Sequence, residues 1–492
     1  MNIVLVIVDT LRYDYVGANG NPDISTPNLD RLAAESWVFD RAFSASFPTI
    51  PFRNDVMRGQ YGGPFHPWKP LPFNAPAFPR VLGENGYATQ LIHDTPHLVN
   101  GGHNFDWPFH AWSFVRGAEV DRPWITDHYK LPDNWAFDPM FDCLELPERD
   151  DWVPDHPSLA TYVRANRDRK GLDDWNCARL FDTASQFLSD NVKRDNFFLW
   201  LDCFDPHEPW DAPEEYVRLY DDTPGYDGTI DPRSFQANRN DKRLSDAAKR
   251  RIKAQYCAKV SWMDRCVGRF LDALDETGLA ENTAVVLVGD HGTNDGSAGF
   301  FGKRAPVTEA EAHVPLMIRT PGGGAGRTDV IWQPQDMFAT ILGLAGVSVE
   351  GDGPRADESF DVLAAAREGS AGAREIALTG GAVASWRGKG AEDTLFTAFD
   401  RDWCLQIAPS VEYSRLMRLG EVDDVAAQNA EVVKRLHAAA LIEIRRRGLD
   451  PALADWLEGG GVGEFPAECS FWDGWPDDSG HYTYFARLYQ GD

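Results

Sequence analysis

The sequence predicts an α/β protein: a doubly wound, mostly parallel sheet with a smaller α+β subdomain toward its C-terminal end. Two observations predict it. Short apolar runs stop abruptly at polar residues and alternate with helical patterns, as buried parallel strands do when their ends form a site. Later in the chain, strand-like pieces come first and one long helix follows, the pattern of a small sheet covered by its own helix. The expected division is a large α/β unit over residues 1–350 and an α+β unit over residues 351–492.

The first run, Ile3 to Val8, ends at Asp9. Thr26 and Pro27 open a helical pattern reaching Ala34, since proline at the first position of a helix needs no amide partner. Thr89 to Ile92 ends at His93, Phe197 to Leu201 ends at Asp202, and Ala284 to Val288 precedes Asp290-His291. A fifth run, Val314 to Ile318, begins just after His313. The amphipathic stretch from Ser245 to Leu274 is a long helix. Residues 104 to 175, rich in Trp, Pro and Asp without periodicity, read as an irregular excursion over the rim of the sheet. Turns fall at Gly322-Gly323-Gly324-Ala325-Gly326 and Gly351-Asp352-Gly353-Pro354. Strand-like pieces follow at Glu375 to Thr379, Thr394 to Phe399 and Trp403 to Ile407, then a helix from Val422 to Arg447.

Charge narrows the function. The 48 Lys and Arg against 76 Asp and Glu give a net charge of -28, so the long-range field repels nucleic acid and anionic membranes, and an anionic substrate needs a local cationic pocket. The 7 cysteines are odd in number and scattered without a CxxC pair, which argues against a disulfide framework or thiolate zinc site and for a reducing compartment, the cytoplasm. The opening apolar run lacks a basic flank, is short and is interrupted by Asp9, unlike a signal peptide, and no later run approaches a membrane span.

Three distant segments carry the chemistry: Asp9, the stretch Phe47-Pro48-Thr49-Ile50-Pro51-Phe52-Arg53, and Gly289-Asp290-His291-Gly292. Two carboxylates and an imidazole at strand ends suit a divalent metal with mixed oxygen and nitrogen ligands. Thr49 before Pro51 reads as the start of a helix, where free amides and the helix dipole favour an anion. A hydroxyl there, beside a metal that lowers its pKa, is an activated nucleophile, and Arg53 one turn on can hold it together with an anionic oxygen.

With these segments in view, the chain resembles the sulfatase branch of the alkaline phosphatase superfamily over nearly its whole length. The matching pieces are Asn2 to Asp9, Thr49-Ile50-Pro51-Phe52-Arg53, Asp205-Pro206-His207-Glu208-Pro209-Trp210, Asp290-His291-Gly292, and Glu311-Ala312-His313-Val314-Pro315-Leu316. The resemblance implies an alkaline-phosphatase-like fold and hydrolysis of sulfate or phosphate esters of small molecules through a covalent intermediate on a metal-bound nucleophile. It implies one divalent ion on Asp9, Thr49, Asp290 and His291, a leaving-group role for His207, and a non-bridging oxygen on Lys303, with Arg304 as the alternative. Thr95 and His97 fall where sulfatases place a substrate-binding Lys-x-His pair, although no lysine is present here. His313, with Asp205 and His207, suggests a second metal site, but a single metal is the favoured reading. The homo-oligomeric state is left open, and Trp107 to Trp112 and Trp68-Lys69-Pro70 line either an apolar leaving-group pocket or only the core.

The departures are as informative. Sulfatases of this branch carry Cys or Ser at the nucleophile position and oxidise it to formylglycine, whereas Thr49 cannot give that aldehyde. Asp9-Thr10 and Asp290-His291 stand where sulfatases usually carry Asp-Asp and Asp-Asn. The set is closer to phosphonate monoester hydrolases and to nucleotide pyrophosphatase/phosphodiesterases, and nitrogen ligation favours Mn²⁺ or Zn²⁺ over Ca²⁺. The expected activity is hydrolysis of a phosphodiester, phosphonate monoester or phosphomonoester. The alternatives are a sulfatase working without formylglycine and a non-catalytic anion-binding relative.

Overall fold

β1 (Asn2–Val8) is buried along its whole length, and its alternating side chains feed two separate cores. Val4, Val6 and Val8 pack on one side with the helices Pro27–Ala34, Asn176–Asp190 and Asp246–Glu276. Ile3, Leu5 and Ile7 pack on the other with the helices Thr49–Arg58 and Asp336–Ala345. This three-layer arrangement is what a run apolar at every position requires.

The computed structural model describes residues 1–62, 68–100, 102–125, 132, 134–144, 157–232, 234, 244–297, 299–303, 305–348, 358–372, 374–381, 390–446 and 451–465. Its central strands in chain order are β1, β2 (Trp37–Ala42), β3 (Ala88–His93), β4 (Ala111–Phe114), β5 (Phe197–Cys203) and β6 (Thr283–Gly289). A short hairpin, β7 (Asn294–Asp295) and β8 (Phe301–Gly302), precedes β9 (Leu316–Arg319) and β10 (Gly326–Trp332). The eight-stranded sheet has the order β10-β2-β9-β6-β1-β5-β3-β4. β1 runs parallel to both neighbours, with Val8 opposite Cys203 on β5 and Gly289 on β6. That register brings the carboxyl ends of three strands side by side, where ligands bind in sheets of this kind.

Two expectations for this sheet need correction, and two of its strands were not foreseen. The Val314 to Ile318 run, read with the parallel strands, forms β9 from Leu316 and is antiparallel to both β2 and β6. A strand buried on both faces has the same apolar pattern in either direction, so its pattern does not encode direction. Residues 104 to 175 are not wholly irregular: β4 extends the sheet parallel to β3, and the helix Pro157–Ala165 builds a satellite core in which Leu159, Tyr162 and Val163 meet Ala258. β2 and β10, which lie at the opposite end of the sheet, escaped notice because their polar, half-exposed residues interrupt any apolar run. Gly351-Asp352-Gly353-Pro354 lies outside the described residues.

Downstream, β11 (Ala377–Thr379), β12 (Phe396–Phe399), β13 (Trp403–Ile407) and β14 (Arg415–Arg418) form an antiparallel sheet in chain order. Val433, Leu436, Ala440 and Ile444 of the helix Ala430–Arg446 lie on one helical face and cover it. The predicted helix from Val422 starts later because Asp424 turns the chain, accepting from the amides of Leu416 and Ala426. This sheet joins the larger one through Phe43, which stacks on Phe399 with ring centroids 4.6 Å apart.

Candidate active site

The register of β1 and β6 makes Asp9 and Asp290 neighbours. Thr10, at φ 63°, turns sharply so that its amide donates to Asp290 Oδ1 at 2.9 Å and its hydroxyl to Asp9 Oδ1 at 2.8 Å. The amide of His291 also donates to Asp290 Oδ1, at 2.6 Å. Glycine flanks the pair because the chain is crowded there: a Cβ on Gly289 would lie 2.6 Å from the Leu11 carbonyl oxygen, and one on Gly292 2.1 Å from that of Ala310.

Thr49 is the first residue of its helix, where the first-turn amides have no partner within the helix, and its hydroxyl lies 3.4 Å from His291 Nε2. Arg53, one turn on, carries its guanidinium back under the strand ends. Nη1 donates to Asp290 Oδ2 at 2.6 Å and to the Thr49 carbonyl at 3.0 Å, and Nη2 lies 3.4 Å from Asp9 Oδ2. Nε and Nη2 each donate to Asp202 at 2.8 Å, from the end of β5.

Asp9, Asp202 and Asp290 therefore share one guanidinium with no solvent access at any of the four side chains. Burial, and then the charge of Asp290, push the Asp9 carboxyl up. Burial opposes ionisation of Asp290 too, but His291 and Arg53 outweigh it and hold that carboxyl below the usual range. The imidazole of His291 is kept neutral, its pKa pushed down to about 4, chiefly by burial. Its Nδ1 donates to the Gly292 carbonyl at 2.9 Å, which leaves the Nε2 lone pair facing Asp9 Oδ1 at 3.8 Å and Asp290 Oδ2 at 3.7 Å. The ligating atoms of Asp9, Asp290 and His291 all lie within 4.8 Å of one another, the only such group of three among the described residues. Excess negative charge, an oriented nitrogen lone pair and exclusion of water together fit a divalent cation.

A second group faces this one. His207 lies in the turn after β5, its ring stacked on Phe204 at 4.2 Å. Its Nδ1 donates to the Glu208 carbonyl at 2.8 Å, so Nε2 accepts from the Lys303 ammonium at 3.1 Å. Lys303 follows β8 and also donates to Glu208 Oε2 at 2.7 Å. Glu119, from the rim excursion, comes within 3.3 Å of His207 Nδ1. Burial and then the Lys303 charge push the imidazole down to about 3, and burial also opposes the ionised Glu208, which Lys303 and His207 nevertheless hold at about 2.

A family model described as Sulfatase matches residues 1–347. The chain belongs to the sulfatase family. It is 28% identical over 378 residues to an arylsulfatase of Clostridium perfringens, covering 71% of this chain and 75% of that one. It is 26% identical over 416 residues to the multifunctional alkaline phosphatase superfamily protein PehA of Trinickia caryophylli, covering 75% and 77% of the two. In fold it is similar to a phosphonate monoester hydrolase of Agrobacterium radiobacter, with a TM-score of 0.64 and 20% identity over 92% of this chain and 97% of that one. It is thus an ester hydrolase of the alkaline phosphatase superfamily.

Within this sulfatase-family frame, Thr95 and His97 sit apart from the metal-ligand group. The Thr95 hydroxyl donates to Asp202 at 2.6 Å, behind Arg53, and His97 is wedged edge-on against Trp68 and Phe204. His313 stacks on Tyr13 and bonds the Asp40 carbonyl, while Asp205 pairs with Lys259, so the three residues of the suggested second metal site have other partners. Phe109 packs on Phe198 and Trp200 in the core, and Arg304 lies outside the described residues. Sequence reasoning assigned no site role to Asp202, Glu208, Glu119 or Lys259. Asp202 carried the same signal as Asp9, a carboxylate ending an apolar run, whereas Glu119 and Lys259 carried none.

Proposed function

We propose that this chain hydrolyses phosphate esters of small molecules, a phosphodiester, phosphonate monoester or phosphomonoester, through a covalent intermediate on Thr49. The observation that carries this reading is a threonine at the start of a helix, 3.4 Å from the oriented imidazole of His291. A threonine cannot become the formylglycine aldehyde, so its hydroxyl is itself the nucleophile.

The Thr49 hydroxyl gives up its proton to water, and its oxygen attacks phosphorus as the bond to the leaving oxygen breaks. His207 is neutral at rest, with Nε2 accepting from the Lys303 ammonium; it takes that proton on Nε2 and passes it to the leaving oxygen, and Lys303 regains a proton from water. Lys303 holds a non-bridging oxygen, and Arg53 orients Thr49 through its carbonyl. Water then attacks the phosphoryl-threonine, releasing phosphate, a phosphonate or, from a diester, a phosphomonoester, and restoring the hydroxyl. A divalent cation on Asp9, Thr49, Asp290 and His291 would lower the pKa of the hydroxyl and offset charge on phosphoryl oxygens. The nitrogen ligand favours Mn²⁺ or Zn²⁺ over Ca²⁺. Thr95 acts through Asp202 on Arg53, and His97 lines the leaving-group side.

No helix among the described residues is long and apolar enough to cross a membrane. The cytoplasm is the proposed location because the 7 cysteines are scattered without a CxxC pair. The test is a panel of p-nitrophenyl phosphate, phosphonate and sulfate esters with wild type and Thr49→Ala. Turnover of phosphorus esters, lost in the variant, is expected. Preferential sulfate turnover would make it a sulfatase working without formylglycine, and no turnover at all a non-catalytic relative.

A further inference from the structure

His207 lies on neither a strand nor a helix. It occupies the turn Asp205-Pro206-His207-Glu208-Pro209, in which the two prolines have no amide to donate. The ring is fixed within this turn, since Nδ1 donates to the carbonyl of the next residue, Glu208, at 2.8 Å. Wherever the turn goes, the imidazole goes with it.

Besides Lys303, which holds the middle of the turn from the site side, a second lysine ties both of its ends to the core. Lys259, on the helix Asp246–Glu276, is 3% exposed, and its ammonium donates to the Pro209 carbonyl at 2.7 Å and pairs with Asp205 Oδ1 at 3.0 Å. It therefore grips the chain two residues before and two residues after His207. A buried ammonium is costly unless paired, and here both contacts fall on the two ends of this turn. Three residues earlier, on the same helical face, the Tyr256 hydroxyl donates to the Thr10 carbonyl at 2.8 Å, just after Asp9. One face of one helix thus braces both loops that meet at the strand ends.

We propose that Lys259 is a positioning residue, setting the place of the His207 imidazole relative to Thr49. This rests on the leaving-group role of His207 argued above. The experiment measures kcat and KM for a p-nitrophenyl ester and an alkyl ester of the same acid, with metal content, in wild type, Lys259→Met, Lys259→Arg and His207→Ala. Lys259→Met should lower kcat for the alkyl ester roughly tenfold or more, a fraction of the effect of losing general acid catalysis, while the p-nitrophenyl rate falls less than about threefold. KM and metal content should hold, and Lys259→Arg should recover part of the alkyl-ester rate. If Lys259→Met does not fold, Asp205→Asn, which weakens the grip at one end of the turn and keeps the bond to Pro209, should give a smaller contrast of the same sign.

Equal losses for both esters in Lys259→Met, beside a clear contrast in His207→Ala, would overturn the positioning role alone. No contrast in His207→Ala itself would overturn the leaving-group role and this proposal with it.

Discussion

Arg53 and Asp202 face each other in a two-point ion pair, with Nε and Nη2 of the guanidinium each 2.8 Å from a carboxylate oxygen and neither side chain exposed to solvent. The geometry decides how the rest of Arg53 is used. Anchored on Asp202, the guanidinium reaches Asp290 with its remaining nitrogen and touches Asp9 only at 3.4 Å. Asp202 thereby limits how far the cation of Arg53 moves onto the two carboxylates.

Asp202→Asn should therefore release Arg53 toward Asp9 and Asp290. Calorimetric titration of the variant is expected to show metal affinity reduced roughly tenfold to a hundredfold, as for lost support of a ligand set. Breaking the buried pair should also cost about 3 kcal/mol of stability, measurable by urea unfolding. Unchanged metal affinity would show that Arg53 does not compete for the site.

Thr49→Ala removes the proposed nucleophile but leaves Asp9, Asp290 and His291 in place. Turnover should fall by at least roughly a thousandfold, about 4 kcal/mol in the barrier, with the unfolding midpoint little changed. Mass spectrometry should find Thr49 unmodified in resting wild type. Near-normal turnover in the variant would eliminate the assignment.

Metal dependence follows from the donor set. Prolonged chelation should abolish turnover, and about one equivalent of Mn²⁺ or Zn²⁺ should restore it. His291→Ala should lower both occupancy and rate, because it removes the only nitrogen in the group. A fully active metal-free preparation would contradict this.

His207→Ala should slow esters of weakly acidic alcohols roughly a hundredfold while affecting p-nitrophenyl esters far less, since p-nitrophenolate leaves without a proton. Rates across a series of leaving groups are the measurement, and parallel losses would refute the role.

His93, at the end of β3, governs a pH effect away from the metal ligands. Burial pushes its pKa from 6.5 down to about 4, and its Nε2 has no partner among the described residues. The unfolded chain then binds the extra proton first, so this stability is present above pH 6.5 and is lost as pH falls toward 4. Between neutral pH and pH 5 the loss should be about 2 kcal/mol for this one group. His93→Phe, stacking on Phe114 as the imidazole does, should flatten that part of the urea-stability profile. An unaltered slope would show that His93 does not contribute.

The sequence by itself determined which segments are buried strands and what kind of residue ends them. Asp9 and Asp290 were legible because an ionisable side chain at the end of a fully apolar run has a reason to be there, and Thr49 and Arg53 because one helical turn separates them. Ile3 to Val8 was legible because burial on both faces forces every position to be apolar. The tertiary structure decided everything that depends on register, direction and distance. Only the parallel alignment of β1 with β5 and β6 makes neighbours of Asp9, Asp202 and Asp290, and local hydrophobicity carries no information about alignment. The same holds for β9, whose reversed direction leaves its apolar pattern unchanged. Lys259 is the extreme case: 50 residues from Pro209, it looked like any charge on an amphipathic helix until folding buried its ammonium between the two ends of the His207 turn.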